Sequence, residues 1–213
     1  MKTTATYITT ILFGILMLSC ENGLLTCSGG SDQTDDNTSN GGQDSWIIPE
    51  DEIYDGGPGK DGIPSIDDPK FISVDQVDFL NNNDLVLGVK NGENIKVYPH
   101  SILNWHEITN DKVGDTHIAV TYCPLTGTGV GWNRKINGES TTFGVSGLLY
   151  NSNLIPYDRK TESHWSQMLS KSVEGELVTT EAETFQLVET TWKTWKTWKN
   201  MYPGAKVLST KTG

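Results

Sequence analysis

Short apolar runs, each cut off by turn-forming residues, govern the chain from Phe71 onward. Leu85-Val-Leu-Gly-Val89 and Ile95-Lys-Val-Tyr98 flank Asn91-Gly92, a dipeptide that accepts the positive φ angles of a tight hairpin. His117 to Tyr122 alternates, so Ile118, Val120 and Tyr122 face one way while His117, Ala119, Thr121 and Cys123 face the other. Cys123-Pro-Leu-Thr-Gly-Thr-Gly129 reads as a turn, with Val130 to Ile136 as the returning strand. Phe71 to Val74, Thr141 to Val145, Leu148 to Pro156, Phe185 to Glu189 and Ala205 to Ser209 add further β material. Runs of this length and period predict a mainly β (β-rich α+β) single globular domain with a few short helices.

Three stretches break that period. Ser101 to Ile108 spaces Ile102, Leu103, Trp105 and His106 as one or two helical turns. Ser163 to Leu169 is expected to be a helical turn carrying Trp165. Thr191-Trp-Lys-Thr-Trp-Lys-Thr-Trp-Lys199 repeats every three residues, close to the helical 3.6, and predicts a helix packing its Trp stripe on the sheet with Lys in solvent. The other use of such a stripe is an aromatic platform for a sugar or a partner. Pro203-Gly204 stops the helix, and the bare ending at Thr212-Gly213 is expected of a chain truncated at its C-terminus.

The N-terminus carries an address. Met1-Lys2 is followed by an apolar stretch from Ile8 to Leu18, shorter than the roughly 20 residues a spanning helix needs. A basic start with a short apolar core reads as a secretory signal, and Met17-Leu18-Ser19-Cys20 resembles the lipobox of bacterial lipoproteins. Residues 1–20 are therefore expected to be a lipoprotein-type signal peptide with Cys20 the lipidated residue. Leu24-Leu25-Thr26-Cys27 is a poorer second candidate, cut off from the apolar run by Glu21-Asn22-Gly23. Residues 28–45 hold no apolar side chain, so 21–45 should form a flexible acidic tether to the domain at 46–213. The partner implied is a membrane, reached through a lipid anchor, and the location is exported, at the bacterial cell envelope.

Charge excludes other partners. The formal net charge of −11 argues against nucleic-acid binding, which needs a basic face. Twelve of the acids lie between Glu21 and Asp68 with Lys60 as the one base there, so the body beyond is nearly neutral. Asp55, Asp61, Asp67 and Asp68 offer oxygens to calcium, but loop acids are more often simply solvated.

Several strings are distinctive: Gly59-Lys-Asp-Gly-Ile-Pro-Ser-Ile-Asp67, Trp105-His-Glu-Ile-Thr-Asn-Asp111, Val120-Thr-Tyr-Cys-Pro-Leu-Thr-Gly-Thr128 and Phe143-Gly-Val-Ser-Gly-Leu-Leu-Tyr150. Together with Tyr157-Asp-Arg159, Trp165-Ser-Gln167 and Val207-Leu-Ser209, in this order, they resemble the bacterial family called domain of unknown function 3179. The resemblance covers about residues 57–213 and implies an exported protein of unestablished activity. The doubled Thr-Trp-Lys departs from the family pattern.

Chemistry centres on Cys123. With Cys20 acylated and Cys27 in the tether, Cys123 is a lone thiol in an oxidising compartment: buried and inert, a metal ligand, or a nucleophile. His106 is the best partner because both residues fall inside the resembling strings. A thiolate with an imidazole suits copper or zinc. His117 lies six residues from Cys123 along one strand, roughly 20 Å, too far to share an ion. His100 and His164 are weaker candidates. As a nucleophile, Cys123 would use His106 as base, Glu107 or Asp111 to orient it, and the amides of the Leu125–Gly129 turn for an oxyanion. Two functions therefore stand: a metal-binding or redox protein using Cys123 and His106, or a non-catalytic envelope binding or scaffold module.

Overall fold

The computed structural model describes residues 45–182, 184–185 and 193–212. Residues 1–44, which include Cys20, Cys27 and nearly all of the tether, lie outside them, as do Trp192 and positions 186–189. The chain runs β1 (Ile53–Asp55), β2 (Phe71–Ser73), β3 (Leu85–Asn91), β4 (Asn94–Pro99) and α1 (His100–His106). It continues through β5 (Ile108–Val113), β6 (Thr116–Cys123), β7 (Thr128–Asn133), β8 (Lys135–Ile136) and β9 (Glu139–Ser140). Then come β10 (Phe143–Tyr150), β11 (Asn153–Asp158), β12 (His164–Ser166) and β13 (Lys171–Glu174). The last elements are β14 (Thr184–Phe185), β15 (Lys193–Thr194), α2 (Trp195–Met201) and β16 (Lys206–Leu208). The domain is mainly β, as the alternation predicts.

Three of the four sheets stack, one of them as a shared middle layer, and β8 and β9 pair separately as a two-stranded ribbon. The outer sheets have the orders β1-β10-β11-β12-β13 and β15-β3-β4-β16-β2, and the middle one β14-β7-β6-β5. The pairings are antiparallel except β16 on β4. Strand β6 explains the layering. Its Ile118, Val120 and Tyr122 pack with Leu87, Val89 and Tyr98 of one outer sheet. Its Ala119 and Cys123 pack with Phe143, Val145, Leu154 and Trp165 of the other. A strand apolar on both faces must be covered on both, so β6 is buried from Ile118 to Cys123. Trp132, Phe143 and Trp165 meet at 5.3–6.2 Å between ring centroids within the second cluster.

Local signals held where local energetics decide. The Asn91-Gly92 turn joins β3 to β4, with Gly92 at φ 59°. Helix α2 buries Trp195 and Trp198 against Val86, Val97 and Val207 on the outer sheet. It starts at Trp195 because Lys193–Thr194 pair with β3 instead, and Thr194 caps it through Thr197 N–H.

One expectation was wrong, and one strand was not foreseen. Trp165 is not on a helical turn: β12 pairs with β13, which buries the indole completely. Ile108–Val113, which shows no clean alternation, is a strand whose polar Thr109, Asn110 and Asp111 are buried. Among the described residues no helix is long and apolar enough to cross a membrane.

Candidate functional site

Cys123 ends β6, and its side chain enters the cluster of Trp132, Phe143 and Trp165. Its thiol donates to the Ser152 carbonyl at 3.5 Å. That carbonyl is aimed by the Asn151-Ser152 turn, whose residues hold φ 50° and 60° and close the β10–β11 hairpin. Around it the quoted strings converge. Asn153 Nδ2 reaches Thr126 Oγ1, Thr128 Oγ1 and Gln167 Oε1 at 3.0, 2.9 and 2.8 Å. Gln167 Nε2 donates to Thr121 Oγ1 at 2.9 Å and to the Thr128 carbonyl at 3.3 Å. Thr128 Oγ1 donates to Gln167 Oε1 at 3.0 Å.

This buried amide–hydroxyl clamp ties the β6–β7, β10–β11 and β12–β13 turns into one end of the molecule. Leu125 and Met168, which stand on two of these turns, are exposed by 69% and 62%. Leu169 is exposed too. Trp105, on α1, is 77% exposed, and the Glu107 carbonyl two residues on accepts Tyr122 N–H at 2.7 Å, which sets this end of α1 beside the end of β6.

That bond also sets the backbone of His106 beside the end of β6. His106 Nδ1 lies 2.8 Å from the Pro64 carbonyl. A carbonyl only accepts, so Nδ1 carries the proton and Nε2 of the neutral ring keeps its lone pair. Burial pushes the Glu107 carboxyl up from its ordinary value. The orienting role expected of Asp111 is absent: its carboxylate takes Lys96 Nζ at 2.8 Å and Tyr98 O–H at 2.7 Å. Burial, then the neighbouring Asp111, pushes the Tyr98 phenol well above its ordinary value. Among the described residues no three His, Cys, Asp or Glu side chains are grouped to hold a metal ion.

The remaining candidates serve other structures. His164 Nδ1 meets Glu174 at 2.6 Å, and His100 stacks on Tyr122 at 4.5 Å between centroids. The acids considered for calcium are dispersed: Asp55 accepts Gly57 N–H, and Asp68 takes Lys70. Asp61 and Asp67 accept from Arg159, which also reaches Ser65 Oγ at 2.8 Å. Asn110 Nδ2 adds a 2.7 Å bond to Asp67, so the Gly59–Asp67 loop is latched onto β5 and β11. Burial alone would lower the Arg159 guanidinium, but its bonds with Tyr157 and Asp67 leave it raised.

Sequence reasoning missed the clamp residues Thr121, Thr126, Thr128, Asn153 and Gln167. Their signal was polarity inside otherwise apolar strings, Thr121 between Val120 and Tyr122, and Gln167 after Trp165.

A family model described as protein of unknown function (DUF3179) matches residues 60–213. No curated protein and no solved structure matches the chain.

Proposed function

The chain belongs to the DUF3179 family, and on that footing we propose that it is an exported, lipid-anchored binding module whose working surface is the loop end around Cys123. The clamp carries this reading. Buried hydrogen bonds from Asn153 and Gln167 hold three turns rigidly, and rigid turns presenting exposed side chains are how many folds build binding surfaces. Trp105, Leu125, Met168 and Leu169 are the residue types of an interface core, so the occupant is a protein partner. Cys20 supplies the anchor and the segment before Trp46 the reach. A photocrosslinking residue at Leu125 or Met168 should trap one adduct of defined mass in intact cells, and one at Tyr54 none. No adduct, or the same adduct at all three positions, refutes the proposal. Cys20→Ser should release the protein from the membrane fraction.

Copper(I) between the Cys123 thiolate and His106 Nε2 is the second reading. It is favoured by the His106 Nδ1–Pro64 carbonyl contact, the support that orients metal-ligating imidazoles. A soft two-coordinate ion suits a thiol and an imidazole, whereas zinc needs four ligands. Protein loaded with copper(I) should retain one equivalent, lost in Cys123→Ala and His106→Gln. Metal-free protein after loading ends this reading.

A further inference from the structure

At the other end of β6, roughly 20 Å from Cys123 along the strand, lies a shallow groove wide open to solvent. It is lined by Arg134, Arg159, Lys160, His117 and the run Ser140-Thr141-Thr142. None of these is acidic, in a chain whose net charge is −11. Arg159 and Lys160 share their charge with carboxylates, Asp61 and Asp67 for the first and Glu139 for the second.

Arg134 does not. It is only 9% exposed, and the bonds it makes are to carbonyls: Nε to Ile118 at 2.9 Å, Nη2 to Asp111 at 3.1 Å, and Nη1 to Thr141. Three of its five N–H groups are thereby used and its charge meets no carboxylate directly. Burial accordingly lowers its pKa, against the more distant pull of Asp111 and Asp67. A buried cation without a counter-ion is costly. The Ser140 and Thr142 hydroxyls and the His117 ring have no hydrogen-bond partner among the described residues. The backbone around them is fixed, with Arg134 N–H on the His117 carbonyl at 2.9 Å and Arg159 N–H on the Thr142 carbonyl at 2.8 Å.

We propose that this groove binds a small oxyanion, a phosphate or a carboxylate, with Arg134 as its charge partner and His117, Ser140 and Thr142 as hydrogen-bond donors. The site is separate from the loop end around Cys123.

The test follows the His117 imidazole C–H resonances of the full-length protein, at constant ionic strength kept with chloride, during separate titrations with inorganic phosphate and with acetate. His117 should shift saturably with half-saturation below about 10 mM for at least one of them. His100, His106 and His164 should stay still. Which anion saturates identifies the ligand, and either supports the site. Thr142→Val and Ser140→Ala, both at accessible positions, should each weaken binding about tenfold or more, the loss of a hydrogen bond to a charged group. Failure of both anions to saturate, an equal shift with chloride alone, or undiminished binding by Thr142→Val and Ser140→Ala overturns the proposal.

Discussion

Gln167→Met tests whether the clamp beneath the loop end stiffens it. Methionine keeps nearly the volume of this fully buried side chain, so no cavity forms and the loss is one of hydrogen bonds. Gln167 gives up bonds to Thr121 Oγ1 and the Thr128 carbonyl, and those received from Asn153 and Thr128. Part of this is absorbed: Thr121 still donates to the Val130 carbonyl at 2.9 Å, and Asn153 keeps Thr126 and Thr128. With two bonds left unreplaced in a buried setting, the cost is about 2–3 kcal/mol. That is a large share of the roughly 5–15 kcal/mol by which a domain is stable. Urea unfolding should show a lower midpoint with an unchanged slope. Amide exchange should rise most at residues 124–127 and 151–153, beyond the global change. A loss under about 0.5 kcal/mol, or exchange that rises evenly everywhere, would refute the reasoning.

Other substitutions probe the layers. Gly88→Ala places a Cβ 2.0 Å from the Trp198 ring and should cost at least about 1–3 kcal/mol, partly restored by adding Trp198→Leu, as read by thermal unfolding. Trp165→Ala, at the centre of the aromatic cluster, should cost about 3–5 kcal/mol by urea unfolding. Burial lowers His100 below its ordinary 6.5, so the unfolded chain binds more protons between the lowered folded value and 6.5. Stability should therefore fall as pH drops through that window, and His100→Asn should flatten the change in urea midpoint.

How much was legible depended on distance along the chain. The β3–β4 hairpin needs only Asn91-Gly92 and two alternating runs, and it formed as expected. Strand β5 was hidden because Asn110 is satisfied from elsewhere, by the Phe143 backbone and by Asp67, 33 and 43 positions away. Trp165 was misassigned for the same reason, since its strand exists only through pairing with β13. At the candidate site, Cys123 stood out as a lone thiol. Gln167, bonded to Thr121 across 46 positions, gave no comparable mark.

Residue order alone determined the β-rich class, the hairpin and the buried Trp face of α2, because periodicity, turn chemistry and short apolar runs act between near neighbours. Only the folded molecule decided that β6 lies between two sheets, that Asn153 and Gln167 clamp the turns around Cys123, and that Arg134 lines a groove without a carboxylate. Those arrangements join groups far apart in the chain, and burial, which removes water as a partner, chooses among them once the layers have closed.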